Sequence, residues 1–356
     1  MSTADIGELL QQQVLDALRN NTPLNICGGG SKVFLGNPAP LPALPVETSA
    51  HHGIVEYDPR ELVLTARGGT PLLHIESVLA EAGQMLAFEP PHFGNSATLG
   101  GTLACGLSGP RRPYSGAARD FMLGCRLLNG RGEIVRFGGQ VMKNVAGYDI
   151  SRLMVGAYGT LGILLDISLK VLPRPADSIT VARKCGEAEA IADMSALLSK
   201  PYPVDAACYS NELCYVRLSG SIQAVKEART KIPGDIVPEA AAFWQALREH
   251  TLPFFHNNSP LYRIMVKPAT PPLPLNGSCL HDWGGALRWL YSHEDVATIR
   301  RQVAQAGGQV SVFRGGAAGT DLFQPLPAPL LAIHQRLKAS FDPAHIFNRG
   351  RIYSNL

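Results

Sequence analysis

Residues 27–32 read Cys-Gly-Gly-Gly-Ser-Lys, three consecutive glycines followed by a hydroxyl and an ammonium, directly after the apolar run Pro23–Ile26. Glycine lacks a Cβ and enters positive φ freely, so such a loop can turn several backbone N–H groups toward one anion. Phosphate binding is the chemistry this pattern suits, and an ordinary turn after a strand is the plainer alternative. Neither familiar phosphate loop fits. A Walker loop needs Lys and then Ser or Thr after its last glycine, whereas Ser31 precedes Lys32 and Val33 follows. The dinucleotide fingerprint G-x-G-x-x-G would need glycine where Val33 stands.

Two further clusters stand in the first half. Residues 90–112 read PPHFGNSATLGGTLACGLSGPRR, where Pro91, Thr98, Gly100, Gly101, Ala104, Gly106 and Gly109 leave the backbone open to a flat or phosphorylated group. Residues 141–175 contain G-x-x-G-x-x-G at Gly156, Gly159 and Gly162, followed by Ile163. An isolated strand glycine more often marks a tight turn or close packing. Three clusters in one predicted domain point instead to a large ligand lined by backbone, a dinucleotide.

Among charged and aromatic side chains, Arg111 and Arg112 adjoin the second cluster as partners for a carboxylate or phosphate, with solvated arginines as the alternative. Tyr148 in Gly-Tyr-Asp either faces the ligand or packs. Asp282, Trp283, Arg288 and Trp289 either line a substrate mouth or pack as a strand or partner interface. Lys143 and Asn144 read as facing solvent or a loop carbonyl. The ten histidines are scattered, His51 and His52 adjacent and none in H-x-x-x-H spacing, so they read as surface or hydrogen-bonded residues.

The elements that position these loops alternate short β-rich runs with glycine turns: residues 24–27, 53–57, 62–66, 121–128, 133–139 and 162–172, with helices between, notably 71–83, which opens on proline and closes on Gly83. At 356 residues two domains are expected. The Pro-rich stretch 173–178 divides the chain, and residues 179–315 then follow a strand–helix–strand–strand–helix order that predicts a small mixed sheet of the split βαβ type. A helix and the tail Asp342–Tyr353 close the sequence.

Charged residues make up only 17% and the net charge is +3, which gives no footprint for nucleic acid. Seven cysteines (27, 105, 125, 185, 208, 214 and 279) form no C-x-x-C pair, so iron–sulfur ligation, structural zinc and a disulfide framework are not expected, and no metal site is expected. Residues 1–20 lack an apolar leader core and place Ile6, Leu9, Leu10, Val14 and Leu18 on one helical face, which favours a cytoplasmic setting with peripheral membrane attachment open.

The order GGGS, ATLGGTLACGLSGPRRPYSGAARD, GYDISRLMVGAYGTLGILLDISLKVLPRP and DPAHIFNRGR resembles the FAD-binding oxidoreductases of the vanillyl-alcohol oxidase and p-cresol methylhydroxylase type. Within them GPRRPYSG, VMKNVAGYDISRLMVG and DWGGALRWL are similar to the FAD-binding subunits of bacterial glycolate oxidase (glycolate dehydrogenase) complexes, over nearly the whole chain. The resemblance implies an α+β fold, an FAD-binding domain of two α+β subdomains at 1–173, a reduced ferredoxin-like α+β cap at 174–328 and a segment 329–356 returning to the first domain.

The resemblance also implies FAD contacts at Cys27, Gly28, Gly29, Gly30, Ser31 and Lys32. Further contacts fall at Pro91, Thr98, Gly100, Gly101, Ala104, Gly106 and Gly109, at Tyr148, Gly159, Gly162 and Ile163, and at Asn348 and Arg351. Family members that attach flavin covalently through the first loop carry histidine where Gly30 stands, so FAD is expected to be non-covalent. Two positions depart from the family pattern: Tyr158 replaces an acidic residue, and Arg349 replaces a proline.

The implied activity is oxidation of a small 2-hydroxy acid, glycolate to glyoxylate, with electrons passed to a respiratory acceptor. The implied partners are a larger FAD subunit and an iron–sulfur subunit. Arg111, Tyr148 and Arg288 are the candidates for catalysis. A self-sufficient single-chain 2-hydroxy-acid dehydrogenase and a non-redox assembly subunit remain the alternatives.

Overall fold

A computed structural model describes residues 3–38, 42–139, 149–316 and 321–356. The chain forms two compact units, one of residues 1–107, 117–173 and 325–356 and the other of 108–116 and 174–324. The short segment Ser108–Gly116 groups with the second unit, a division that the glycine-rich sequence around it does not announce.

In the first unit the strand Leu24–Cys27 runs parallel to Leu44–Glu47. A five-stranded sheet follows in the order Ile54–Asp58, Val63–Arg67, Ile163–Lys170, Met122–Leu128, Ile134–Gly138, every pairing antiparallel. The near-continuous apolar run 162–169 is explained by its central place: Ile163 and Leu165 enter one core with Leu10, Val14 and Phe347, while Leu164, Ile167 and Leu169 enter another with Ile75, Leu99 and Leu103. The helix Gly7–Arg19 supplies Leu10, Val14 and Ala17 to the first of these cores, as its amphipathic spacing predicts.

The end of the first unit is tied by one buried lysine. Lys338, on the helix Ala328–Phe341, donates from Nζ to Thr160 O, Phe347 O and Asp342 Oδ2, each at 2.7 Å. Asp342 in turn accepts the amides of Ile346 and Phe347 at 3.1 and 2.8 Å. All three lysine donors are satisfied, which is what allows an ammonium that is only 3% exposed. Burial holds its pKa below the ordinary lysine value, against the pull of Asp342.

The second unit is built on one eight-stranded sheet, ordered Asp235–Ile236, Asp177–Lys184, Leu213–Gly220, Val204–Ser210, Ser278–Asp282, Leu287–Tyr291, Leu261–Met265, Gln309–Arg314. Its first four strands, with the helices Glu187–Leu197 and Ile222–Arg229, have the fourth–first–third–second order of a split βαβ unit. The expectation of a mixed sheet is corrected: the pairings are antiparallel throughout, because each strand's neighbours in the sheet run opposite to it across hairpins or helical crossovers.

His250 closes the helix Ala240–Glu249 in a left-handed conformation, φ 55. Its ring stacks on Phe255 with centroids 4.0 Å apart and meets Trp289 at 4.5 Å. Removal from water, then the charges of Arg314 and Arg263, hold its pKa well below the ordinary 6.5. The folded state therefore resists the proton that the unfolded chain accepts, so this contribution is present above pH 6.5 and is lost as pH falls toward the lowered folded value. The stability of the second unit against thermal unfolding is expected to fall below that point by up to about 1.4 kcal/mol per pH unit. His250→Asn, which tolerates the same backbone, should flatten the slope; a slope unchanged by the substitution would remove His250 as its cause.

Candidate functional site

An open cavity with a volume of about 300 Å³ lies in the first unit. Of the residues the sequence proposes, it is lined by Cys27, Gly28, Gly29, Gly30, Ser31 and Lys32, by Thr98, Gly100, Gly101 and Ala104, by Gly159, Gly162 and Ile163, and by Asn348 and Arg351. Three glycine loops and the tail, far apart in sequence, thus share one wall.

Three of the proposed residues are not on that wall. Pro91 is buried outside it. Gly106 is the left-handed C-cap, φ 64, of the helix Leu99–Cys105, and an added Cβ there would come within 3.0 Å of Gly156. Gly109 belongs to the second unit, where its carbonyl accepts the indole N–H of Trp283 at 2.9 Å. Tyr148, Lys143 and Asn144 lie outside the described residues.

The first loop is held open by what surrounds it. Thr48 N donates to Cys27 O, finishing the parallel pairing, and among the described residues the amides of Gly28, Gly29, Gly30 and Ser31 donate to no protein acceptor. Four successive free amides at the end of a strand make the anion-binding concavity that a pyrophosphate requires. An added Cβ at Gly29 would lie 1.5 Å from Ser96 O, and one at Gly28 would lie 2.4 Å from Thr98 Oγ1, so this loop abuts the second with no room for side chains. Gly30, φ 72, has nothing within 4 Å of the same construction and looks into open space. The residues present therefore fit a dinucleotide held by backbone.

Lys32 lines the cavity, but its ammonium is engaged within the protein. It is buried, with Nζ 3.2 Å from His92 O and 3.3 Å from Ser31 Oγ, and it fastens the first loop to the second. Arg351 reaches the cavity wall from the tail but donates to Asn37 O at 2.9 Å and Val33 O at 2.8 Å. Burial lowers its pKa from the ordinary value. Anion binding thus falls chiefly to amides.

The second loop enters the helix Leu99–Cys105 through Thr98, whose hydroxyl accepts Gly101 N at 3.3 Å as an N-cap. The third loop docks on the other end of this helix: Gly156 N donates to Leu103 O at 2.9 Å, and Tyr158 N donates at 2.8 Å to Ala104 O, a carbonyl the helix leaves unpaired. The departure at Tyr158 is thereby accommodated, since its backbone, φ 53, makes the contacts.

Asn348 joins all of this. Its Oδ1 accepts Ile26 N at 2.7 Å and its Nδ2 donates to Tyr158 O at 2.7 Å, from a left-handed backbone, φ 37, that asparagine tolerates. Asn348→Ala leaves both partners unmet, and a tenfold to hundredfold loss of FAD affinity is expected, about 1.4–2.8 kcal/mol. Asn348→Gly keeps the backbone and loses the amide; if it bound FAD as tightly as the parent, the side-chain clamp would carry no weight. Flavin fluorescence titration of the apoprotein reads both.

Sequence reasoning missed Asn25, Ile26, Val33, Pro38, Thr48, Cys105, Met154, Ala157, Tyr158 and Leu164 on the cavity wall. Met154, Ala157 and Tyr158 sit inside the third glycine cluster and were legible there. Thr48 carried no signal, because only strand pairing brings it beside Cys27. Cys105 is held as a thiol, its pKa pushed up to about 11 by burial against the opposing charges of Lys32 and Arg351.

Two of the three catalytic candidates, Arg111 and Arg288, lie in the second unit. Arg111 Nη2 is 2.6 Å from Asp205 Oδ2, and the other oxygen of Asp205 accepts Arg217 Nε at 2.6 Å. Arg112 stacks 4.3 Å from the ring of Trp283. Arg288, 1% exposed, donates to Pro271 O at 2.8 Å, to Thr270 O and, at 3.4 Å, to Gly285 O. These guanidinium groups are engaged with the protein itself.

Residues 8–138 match the family described as an FAD binding domain, which defines the class of the first unit. A solved structure of alkyldihydroxyacetonephosphate synthase superposes with a TM-score of 0.66 at 15% identity, covering 96% of this chain and 75% of that one, a likeness of fold alone. The architecture is accordingly that of an FAD-binding domain of the p-cresol methylhydroxylase type with a cap. Glycolate oxidase subunit GlcE of Escherichia coli (strain K12) is 49% identical over 352 residues, 99% of each chain. Glycolate oxidase subunit GlcD of Bacillus subtilis (strain 168) is 34% identical over 123 residues, 34% of this chain and 26% of that protein. The chain belongs to the GlcE family of glycolate oxidase subunits.

Proposed function

We propose that this chain is the FAD-carrying subunit of a glycolate oxidase complex, that it holds FAD without a covalent link, and that glycolate is oxidised on a larger FAD subunit. The observation that carries the flavin assignment is the wall of three glycine loops and Asn348 around one cavity. The 49% identity with a glycolate oxidase subunit carries the complex and its substrate class. The FAD, when bound, supplies a two-electron acceptor for oxidation of the alcohol carbon of a 2-hydroxy acid.

This chain's own residues bind and shield that group: amides of residues 28–31 meet the pyrophosphate, and Gly100, Gly101, Gly159 and Gly162 let the backbone approach. Gly30 supports the non-covalent reading, since no histidine stands there to form a link. The ion pair of Arg111 with Asp205 and the three carbonyl bonds of Arg288 favour substrate capture elsewhere in the complex. We assign the remaining partner to an iron–sulfur subunit, with attachment to the inner membrane face through the assembly. Among the described residues no helix is long and apolar enough to cross a membrane.

Anaerobic addition of glycolate to the chain alone and to the reconstituted complex tests this division. The flavin of the isolated chain is expected to keep its visible bands and to bleach once the larger subunit is present. Bleaching in the isolated chain would make it a self-sufficient dehydrogenase; complex turnover unaffected by loss of its FAD would make it a scaffold.

A further inference from the structure

We propose that Glu187, Cys279 and His281 of the second unit form a binding site for one divalent transition-metal ion of the zinc class. A carboxylate oxygen, a thiol sulfur and an imidazole nitrogen from these residues all lie within 4.8 Å of one another. Cys279 and His281 occupy alternate positions on the strand Ser278–Asp282, so their side chains leave the same face. Glu187 opens the helix Glu187–Leu197 and brings its Oε1 to 2.9 Å from His281 Nε2.

The donor set is one sulfur, one nitrogen and one oxygen, which suits zinc better than magnesium or calcium, since those ions prefer all-oxygen shells. In a tetrahedral zinc site the bond lengths of about 2.0–2.3 Å place ligand atoms about 3.3–3.8 Å apart. Closing from the upper limit of 4.8 Å needs roughly 1 Å of side-chain movement among the three residues. The fourth position would then come from solvent on the side where Glu187 is 40% exposed.

Two features distinguish this cluster from a simple hydrogen-bonded pair. His281 is fully buried, and its Nδ1 has no hydrogen-bond partner, an arrangement that is costly for a ring whose only described hydrogen bond is to Glu187. Arg288 stands opposite His281 in the strand ladder, with its guanidinium fixed on carbonyls. The Cys279 thiol would give up its proton to the bound ion, as ligation through sulfur requires. Two anionic ligands would balance a divalent ion. Cysteine spacing could not reveal the site, because its carboxylate stands 94 residues from the histidine it meets.

The test uses the full chain, stripped with a chelating resin and titrated with Co²⁺ and then Zn²⁺. One equivalent of Co²⁺ is expected to bind with a thiolate-to-cobalt charge-transfer absorption, which one equivalent of Zn²⁺ abolishes. Cys279→Ser should remove that absorption, and Glu187→Gln should weaken binding by ~10-fold or more, the scale at which even the outer partners of metal ligands act. Cys185→Ser, a half-buried thiol of the same unit outside the cluster, should leave both unchanged. Cobalt bound without the sulfur absorption, binding unaltered in Cys279→Ser, or no stoichiometric binding in the folded parent would each overturn the proposal. Circular dichroism of each variant separates lost ligation from lost folding.

Discussion

Gly29→Ala is expected to weaken FAD binding by about a hundredfold or more, although it adds a single methyl group. The methyl carbon would sit 1.5 Å from the carbonyl oxygen of Ser96, a backbone atom with no rotamer to change. The first two loops must therefore part, and overpacking of this kind costs roughly 1–3 kcal/mol before the lost contacts to the pyrophosphate are counted. Gly30→Ala supplies the contrast. Its methyl meets nothing within 4 Å, so only the left-handed backbone at φ 72 is strained, at about 1–2 kcal/mol. Apoprotein titrations with FAD should rank the parent first, then Gly30→Ala, then Gly29→Ala. Equal affinities for the two variants would mean that abutment of the loops does not shape the site.

The second large effect is on stability. Lys338→Met is expected to destabilise the chain by about 3–5 kcal/mol, the usual consequence of removing one member of a buried ion pair. Methionine fills the space but leaves Asp342, Thr160 O and Phe347 O without the ammonium they share. Because Thr160 belongs to the third loop and Phe347 adjoins Asn348, the cavity should loosen with it, and FAD should leave at a lower temperature. The paired change Lys338→Met with Asp342→Leu is expected to recover part of the loss, since it removes the stranded carboxylate. Denaturant unfolding of both variants checks this; a single variant as stable as the parent would show that the pair does not hold the tail.

Much of this arrangement was legible before any coordinates, and the reason differs from residue to residue. The glycine loops announced themselves because a backbone-lined cavity excludes Cβ atoms, and exclusion leaves a compositional mark. The run 162–172 likewise read as a strand, and the structure adds that it is covered on both faces. Gly106 and Gly109 carried the same mark for other reasons, one a helix cap and the other the neighbour of an indole, and composition alone does not separate these uses. Lys32, an FAD contact by the resemblance, does line the cavity, but the bond of its Nζ to His92 O depends on tertiary packing and could not be read from the loop. Arg111 could be seen as a cation but not as one balanced by Asp205, a strand residue of the other half of the chain. The knot at Lys338 was invisible, because a single lysine in an amphipathic helix reads as solvent-facing until tertiary contacts bury it.

The measurement that tests the central claim most directly is the flavin content of the chain purified alone, before and after acid precipitation. The account predicts one FAD per chain, with visible flavin bands in the native protein and all of the flavin free in the supernatant once the protein is denatured. A chain that remains colourless when saturated with FAD, or flavin that stays with the precipitate, would contradict it.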